Sequence, residues 1–204
     1  MRAPVKLFLA SSNPGKLDEY RGLATTLGIS FPVELQSVPD FASHPAFEEN
    51  APTFAENAAG KALHYSRFTN ELVIADDSGL VVPSLGGAPG VHSARYAGPH
   101  AGNAERVEKL LQEMRKMKDK QRVAHFVCAI ALARQGRAIA IVTDRVDGEI
   151  LEAPRGSGGF GYDPVFYFSH LEKSFAELTT ADKNRYSHRG KAFRKLLLAL
   201  STML

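Results

Sequence analysis

Short apolar runs alternate with stretches of helical periodicity along the chain, and this pattern predicts an α/β protein. The apolar run 6–10 ends in the polar turn 11–15, after which apolar positions recur at helical spacing. A strand, a loop and a helix are therefore expected here. Asn13 is placed to cap that helix and Pro14 to open it, since proline has no N–H to lose at the first helical position.

A second helix is predicted by the capping box 53–56, in which a threonine and a glutamate satisfy free backbone N–H groups, and it extends to about Phe68. The apolar segment 71–75 is expected to form a strand that ends abruptly at Asp76. Glycine and proline then dominate 80–102, which predicts a long ordered loop without regular structure.

The second half of the chain begins with a predicted helix at 103–117. Two apolar segments, 122–133 and 138–146, are separated by a short polar turn and are expected to pair as an antiparallel hairpin. A glycine-rich loop covers 154–164, and a strongly amphipathic helix is predicted from about Ser187. Functional loops are expected at the strand ends of a mixed sheet.

Composition places the chain among ordinary globular proteins, with 44% hydrophobic and 23% charged residues among 204. Without repeats or low-complexity linkers, residues 1–204 are expected to form a single domain. The apolar stretch at the start is too short for a signal peptide or a membrane span, so we expect a cytoplasmic protein with no membrane partner. The formal charge of +3 suits a small polyanionic ligand better than a nucleic-acid partner.

The chain has a single cysteine, Cys128, in the apolar run 124–130. No disulfide within the chain is possible. A lone thiol in such a run is typical of a small core residue, so no catalytic role is expected for it.

The first segment that indicates chemistry lies between the first strand and helix, from Ser11 to Lys16. Hydroxyls, backbone N–H groups and a lysine converge there on a helix N-terminus, a place that attracts phosphate. The spacing of a Walker P-loop is missing. A plain capped helix start is the alternative.

The second such segment is Asp76-Asp77-Ser78-Gly79, which follows an apolar strand directly. Consecutive strand residues point to opposite faces, so only one of the two carboxylates is expected to face a site fully. Buried carboxylates are costly unless a cation or hydrogen bonds compensate them, which indicates a Mg²⁺ ligand or a general base. The alternative is a turn held by Asx hydrogen bonds.

The third is the acidic pair Glu48-Glu49 ahead of the second helix, on which Lys61 lies about two turns further along. One or two carboxylates together with substrate phosphate oxygens suffice to hold Mg²⁺. Alternatively, the glutamates complement the helix dipole and the lysine is solvated.

Two further segments carry candidate binding groups. In 158–163 the glycines allow a close approach of the backbone to a ligand, and Phe160 offers a face for stacking a base; a tight turn with a core aromatic is the alternative. In 183–189 several donors cluster at the expected start of the terminal helix, where the dipole favours acids. Such a contradiction indicates function, although His188 and Arg189 are alternatively a surface pair.

Taken together and in this order, these segments resemble the motifs of the inosine triphosphate pyrophosphatase family, which includes the bacterial dITP/XTP pyrophosphatases. The matching segments are the Ser-Asn-Pro-Gly-Lys loop, Thr53-Phe54 with Glu56-Asn57-Ala58 and Lys61, the block 75–96, Gly159-Phe160-Gly161-Tyr162-Asp163-Pro164, and Ser187-His188-Arg189-Gly190-Lys191-Ala192. The resemblance spans almost the whole chain.

This resemblance implies an elongated mixed α/β fold with two lobes around a central cleft, usually as a homodimer. It implies Mg²⁺-dependent hydrolysis of dITP, ITP, XTP and dXTP to the monophosphate and pyrophosphate, which keeps these nucleotides out of DNA and RNA. Asp77 would then be the proton acceptor and a metal ligand, and Glu48 or Glu49 would assist the metal. The chain has Asn50-Ala51-Pro52 where relatives commonly have a glycine, which leaves open which glutamate meets the metal.

The remaining roles divide between the phosphates and the nucleoside. By the resemblance, the phosphates are bound by Ser11, Ser12, Asn13, Pro14, Gly15 and Lys16. The nucleoside pocket is lined by Ser78, Phe160, Gly161, Tyr162, Asp163, Lys183, His188 and Arg189. We expect Lys16 and Lys61 to neutralise the charge that develops on the phosphates.

The choice of base follows from hydrogen-bond chemistry. Lysine and arginine side chains only donate hydrogen bonds. They can therefore donate to the 6-oxo group of hypoxanthine or xanthine but cannot pair with the 6-amino group of adenine, which is itself a donor. One alternative is a pyrophosphatase for modified pyrimidine or methylated nucleotides. Another, indicated by the pI of about 9.0, is a nucleotide-binding regulatory or RNA-binding module.

Overall fold

The fold is seen in a computed structural model that describes residues 3–11, 13–26, 31–117 and 121–203. The predicted phosphate contact of Ser12 lies outside these residues. Within them, the strands and α-helices in chain order are β1 (Val5–Leu9), α1 (Pro14–Thr26), β2 (Val33–Ser37), α2 (Phe54–Tyr65), β3 (Leu72–Val81), α3 (Asn103–Lys116), β4 (Val123–Arg134), β5 (Arg137–Ile150), β6 (Phe166–Phe168), β7 (Lys173–Ser174), α4 (Thr180–Tyr186) and α5 (His188–Met203).

The strands are hydrogen-bonded in the order β2-β1-β3-β4-β5-β6-β7. Strand β1 runs parallel to both neighbours, with Leu7 opposite Leu35 on β2 and Leu72 on β3. Strand β6 is antiparallel to β5 and β7. The predicted α/β class with a mixed sheet is therefore confirmed. Among the described residues, no helix is long and apolar enough to cross a membrane.

The chain divides into two compact units, of which unit 1 comprises Met1–Asp77, Cys128–Asp144 and Arg189–Leu204. Its strands bury alternate residues on opposite faces of the sheet. One core contains Leu7, Leu9, Ile74 and Cys128 with side chains from α1 and α5, and the other contains Phe8, Val73 and Ala75 with side chains from α2. Burial raises the pKa of the Cys128 thiol to about 12, which confirms that this residue packs in the core.

Unit 2 comprises Ser78–Val127 and Arg145–His188. Helix α3 buries Val107, Leu110, Leu111 and Met114, a spacing of three to four residues that produces one apolar stripe. These side chains belong to a core that includes the aromatic rings of β4, β6 and the short β7 region. The predicted α3 is confirmed within one residue at its C-terminal end.

Strand β3 does not end at Asp76, so that prediction was wrong. It continues through both aspartates to Val81, and Asp76 and Asp77 are buried within it. Aspartate disfavours strands only where tertiary partners do not compensate for its burial, and here such partners exist. The predicted irregular loop accordingly starts later, and two 3₁₀ segments, Pro83–Leu85 and Gly90–Arg95, order much of it.

The single terminal helix predicted from Ser187 is preceded by a separate helix, α4. Thr179 caps α4 by accepting the N–H of Asp182, and the extended backbone of Ser187 separates α4 from α5. Lys183 and Arg185 therefore occupy the last turn of α4, where the dipole favours cations. The expected conflict with the helix dipole was wrong for these two residues.

The hairpin of β4 and β5 forms as predicted but extends further than expected, to Arg134 and from Arg137. Gln135 and Gly136 join the strands, with φ angles of 49° and 74°. Two such residues form the tight turn that suits the twist of an antiparallel pair. The hairpin spans both units, because β4 and β5 each contribute residues to each of them.

Candidate active site

Strand alternation sends the two adjacent aspartates to different neighbours. Asp76 shares the face of Ile74, which packs toward α1 and α5, whereas Asp77 shares the face of Val73 and Ala75, which packs toward α2. The expectation that the two carboxylates face different surroundings is confirmed by their partners, which come from different helices.

Asp76 is fully buried among cations of unit 1. The ammonium of Lys16 lies 3.0 Å from Oδ1 and 2.9 Å from Oδ2, and Nε of Arg189 lies 3.5 Å from Oδ2. Burial alone would raise the pKa of Asp76, but Lys16, Arg189 and Lys61 hold that pKa well below its usual range. Asp76 therefore stays ionised and acts as a charge partner rather than a proton acceptor.

Asp77 has the opposite electrostatic environment. Its Oδ2 accepts a hydrogen bond of 2.9 Å from Nδ2 of Asn57 on α2. Burial and the nearby charge of Glu49 raise the pKa of Asp77, although the Asn57 amide and two lysines oppose this shift. Two carboxylates whose pKa values are pushed apart mark out the acid and base roles of a site, and here the more basic one is Asp77.

Glu49 and Glu48 are placed differently. Glu49 forms an ion pair with Lys61 of α2, whereas Glu48 is exposed and accepts a hydrogen bond from its neighbour Asn50 at 2.9 Å. Burial alone would lower the pKa of Lys61, but Asp76 and Glu49 raise it above the usual value, so Lys61 remains an ammonium. Of the acidic pair, Glu49 is the residue brought into the charged group around Asp77.

The carboxylates of Asp77 and Glu49 fit a hard divalent cation. Burial, together with the nearby charge of Glu49, raises the pKa of Asp77, and a cation near both carboxylates would relieve the repulsion between them. Among the described residues, no group of three or more His, Cys, Asp or Glu side chains is arranged to hold a metal ion by itself. Mg²⁺ needs only one or two carboxylates when phosphate oxygens and water complete its shell.

Side chains of the loop that opens α1 accept backbone N–H groups near the start of the helix. Oδ1 of Asn13 accepts the N–H of Gly15 at 2.9 Å, and Oγ of Ser11 accepts the N–H of Asn13 at 3.1 Å. Helix α1 begins at Pro14, so the predicted cap and first residue are confirmed. The exposed loop ends at a helix N-terminus, which attracts anions, and Lys16 follows in the first turn.

In unit 2, Asp163 organises the predicted glycine-rich loop. Its Oδ2 accepts the N–H of Phe160 at 2.8 Å and the ammonium of Lys183 at 2.5 Å. That ammonium lies 4.7 Å from the centroid of the Phe160 ring, which is 47% exposed. The alternative of a core aromatic is therefore wrong for Phe160, because nearly half of this residue is exposed.

Tyr162 and Gly161 in the same loop stabilise its backbone conformation. Tyr162 is buried, and its hydroxyl donates to the carbonyl of Ser93 at 2.9 Å. Gly161 has a φ of 61°, a left-handed conformation that favours glycine. These two residues fix the path of the loop that presents Phe160.

Ser93 is a structural residue that the sequence motifs contained but did not explain. Its Oγ accepts the N–H of Leu80 at 2.9 Å and donates to the carbonyl of Gly90 at 2.6 Å. A Cβ on Gly79 would lie 2.6 Å from that carbonyl, so only glycine fits beside Ser78. The only indication of this role in the sequence was that Ser93 belongs to the motif Ser93-Ala94-Arg95-Tyr96.

The remaining predicted nucleoside residues lie in both units. His188 stacks on the Phe126 ring in unit 2, with centroids 4.8 Å apart and planes 12° from parallel. Arg189 is 2% exposed in unit 1 and forms ion pairs with Asp76 and with Glu19 of α1. Sequence reasoning assigned no role to Glu19, since nothing in the α1 pattern indicated a partner 170 residues away.

Comparisons with known proteins identify relatives over almost the whole chain. The chain is 50% identical to the dITP/XTP pyrophosphatase of Geobacillus kaustophilus over 191 residues, covering 94% of this chain and 92% of the relative. It is 42% identical to the dITP/XTP pyrophosphatase of Bacillus subtilis over 188 residues, covering 92% and 93% of the two chains.

Solved structures and a family model identify the same family. A HAM1 protein from Coxiella burnetii superposes with a TM-score of 0.86 at 40% identity, covering 97% of this chain and 99% of that one. The Staphylococcus aureus Ham1 protein superposes with a TM-score of 0.84 at 34% identity, covering 98% and 100%. The model of the Ham1 family matches residues 7–199, and the chain belongs to that family.

Proposed function

We propose that this chain hydrolyses non-canonical purine nucleoside triphosphates, namely dITP, ITP, XTP and dXTP, to the monophosphate and pyrophosphate. The observation that carries the proposal is the pair of adjacent aspartates with opposite pKa shifts, beside Glu49 and three cations. Such a group suits hydrolysis of a phosphoanhydride, which needs a base and fixed positive charge. Relatives at 41–50% identity that bear the name dITP/XTP pyrophosphatase support the substrate class.

Asp77 is the proposed proton acceptor. Its raised pKa, caused by burial and by the nearby charge of Glu49, makes it more basic than an exposed aspartate. In this role it orients a water molecule and removes its proton as the water attacks the α-phosphorus. Attack at that atom rather than at the γ-phosphorus rests on the resemblance to the pyrophosphatases.

Asp77 and Glu49 are the residues that would hold Mg²⁺, and we propose Glu49 rather than Glu48 because only Glu49 is drawn into the charged group. When bound, Mg²⁺ supplies positive charge to the phosphate oxygens. Lys16 and Lys61 supply fixed charge of the same sign from the protein. The backbone of the loop Ser11–Lys16 would bind the phosphates at the N-terminus of α1.

The base is proposed to stack on Phe160 and to be read by donors. Lys183 is held beside that ring by Asp163, so its ammonium is positioned to donate to a 6-oxo group. Adenine presents an amino group there and would leave the donor unpaired. We retain Ser78, His188 and Arg189 as proposed pocket residues, and the ion pairs of Arg189 with Glu19 and Asp76 fix its guanidinium plane.

The experiment that tests this proposal is a substrate panel with purified protein and Mg²⁺. ITP, dITP and XTP are expected to be hydrolysed at least tenfold more efficiently than ATP, because the 6-amino group of adenine leaves the donor unpaired. GTP, which also carries a 6-oxo group, and the pyrimidine nucleotides dTTP and UTP complete the panel. Faster hydrolysis of dTTP or UTP than of ITP would instead assign the chain to pyrimidine nucleotides.

We also propose that the protein acts as a homodimer in the cytoplasm, where nucleotide pools are maintained. Ile139 and Ile141 are exposed and lie on one face of β5, since they are two residues apart on a strand. Exposed apolar side chains of this kind are typical of surfaces that become covered. Light scattering coupled to size exclusion is expected to give about twice the 22.2 kDa chain mass.

A further inference from the structure

Asn57 is a buried amide that contacts two separate parts of the candidate site. It lies in the first turns of α2 and is only 1% exposed. Its Nδ2 donates to Oδ2 of Asp77 at 2.9 Å and to the carbonyl of Ala51 at 3.4 Å. Its Oδ1 accepts the N–H of Ala51 at 2.9 Å. One side chain thus joins strand β3 to the loop that carries Glu49.

The same face of α2 holds that loop at three further points. Lys61, four residues after Asn57, forms the ion pair with Glu49, and His64, seven residues after it, has Nε2 2.7 Å from the carbonyl of Pro45. The Phe47 ring packs directly over Gly60. Positions spaced by three, four and seven residues lie on one side of a helix, so α2 holds the loop from 45 to 51 along its length.

Asn57 differs from these other contacts in that its side chain also donates a hydrogen bond to Asp77. The hydrogen bond to Oδ2 restrains rotation of the Asp77 carboxylate, and the pair of bonds to Ala51 fixes the backbone two residues after Glu49. Fully satisfied buried amides are rigid elements, since leaving either end unpaired is costly. The distance and orientation between the two carboxylates are therefore set through one amide.

We propose that Asn57 is a positioning residue that fixes Asp77 and Glu49 relative to each other, so that both carboxylates meet one divalent cation. The role of the pair as metal ligands rests on the proposed function. Asn57 itself touches neither substrate nor metal in this assignment. Lys61 holds the side chain of Glu49 through an ion pair. Asn57 links the backbone at Ala51, two residues after Glu49, to the carboxylate of Asp77.

The test compares two variants of Asn57 with a matched variant on the same helix. Asn57→Leu removes both ends of the amide at similar volume. Asn57→Asp keeps an oxygen to accept the Ala51 N–H but removes the donor to Asp77. His64→Leu loosens the loop at Pro45 without touching Asp77, and so controls for loop anchoring alone.

Two readouts separate positioning from stability. The first is Mn²⁺ binding to each protein without nucleotide, measured by electron paramagnetic resonance, which needs no turnover and remains valid even if wild type fails to hydrolyse ITP. We expect Asn57→Leu to weaken Mn²⁺ binding at least fivefold and His64→Leu to change it less than twofold. The second readout is steady-state hydrolysis of ITP, in which both Asn57 variants are expected to lose at least thirtyfold in kcat with KM within threefold of wild type.

A purely structural role predicts a different pattern. If Asn57→Asp keeps kcat within threefold of wild type, or if Asn57→Leu and His64→Leu weaken Mn²⁺ binding equally, the proposal is overturned. Should Asn57→Leu fail to fold, Asn57→Asp decides the matter through kcat, since its side chain can still accept the Ala51 N–H. If the wild-type protein binds Mn²⁺ but does not hydrolyse ITP, the proposed function is wrong. The effect of the Asn57 variants on Mn²⁺ binding then still tests the role of Asn57.

Discussion

At the scale of single residues, Asp76 and Asp77 show how one bond in a strand separates two chemical roles. Alternation turns Asp76 toward Lys16 and Arg189, and Asp77 toward Asn57. Cations keep the first carboxylate ionised, whereas burial and Glu49 make the second more basic. The same residue type in the same strand is therefore a charge partner at one position and the proposed base at the next.

Asp77→Asn is expected to lower kcat for ITP by about a hundredfold or more at saturating Mg²⁺, because general bases contribute roughly 10²–10⁴ in rate. Steady-state assays of pyrophosphate release measure this loss. Asp147→Asn is the matched control, since Asp147 is an exposed aspartate that pairs with His125 and Arg145 in unit 2. Normal turnover by Asp77→Asn would show that another group accepts the proton.

Asp76 makes stability depend on pH in acid. Its pKa in the folded chain lies below that in the unfolded chain, so its contribution is complete above the ordinary carboxyl pKa of about 4 and is lost as pH falls through the folded value. Urea denaturation from pH 7 to pH 3 should show the stability of wild type converging on that of Asp76→Asn as pH falls below about 4. A constant difference between the two proteins over this range would contradict the assignment.

At the scale of elements, helix α2 is the part that positions the carboxylates, and close packing at Gly60 matters to it. Alanine is usually favoured over glycine within a helix by about 1 kcal/mol. Here, however, a Cβ at position 60 would lie 3.0 Å from Cε2 of Phe47 and still closer to another atom of that ring. The Phe47 ring would have to move to admit it.

Gly60→Ala is therefore expected to lower the melting temperature instead of raising it, as measured by thermal denaturation. The double variant Gly60→Ala with Phe47→Ala should regain the helix preference for alanine relative to Phe47→Ala alone. A higher melting temperature for Gly60→Ala by itself would show that the ring moves aside at no cost.

The sequence predicted the elements whose signals are local. The start of α1 at Pro14 and the cap of α2 at Thr53 were both foreseen, because each depends on residues within one turn. The start of the terminal helix at about Ser187 was also foreseen, but two features were missed: the continuation of β3 through Asp76, and the separate helix α4 before Ser187. The first depends on Lys16 and Arg189, which are distant in the chain, so local propensity could not foresee it.

At the scale of the whole molecule, the candidate groups lie in two compact units that are each organised by their own core. Unit 1 brings together Lys16, Asp76, Asp77, Glu49 and Lys61, and unit 2 brings together Phe160, Asp163 and Lys183. The order of motifs sufficed to predict the family. It did not predict that Glu49 rather than Glu48 approaches Asp77, since that depends on how Ala51 and Asn57 pack.

The proposed function predicts which phosphoanhydride bond of the triphosphate is cleaved. A base beside fixed cations that acts at the α-phosphorus releases pyrophosphate, whereas attack at the γ-phosphorus releases orthophosphate. These outcomes give different phosphorus products from the same substrate, so one experiment distinguishes them without reference to rates.

The most direct test is ³¹P nuclear magnetic resonance of ITP incubated with the purified protein and Mg²⁺. We expect the triphosphate signals to be replaced by those of inosine monophosphate and pyrophosphate in equal amounts. With Asp77→Asn, we expect ITP to remain intact over the same time. The appearance of inosine diphosphate with orthophosphate, or of no product from the wild-type protein, would contradict the proposed function.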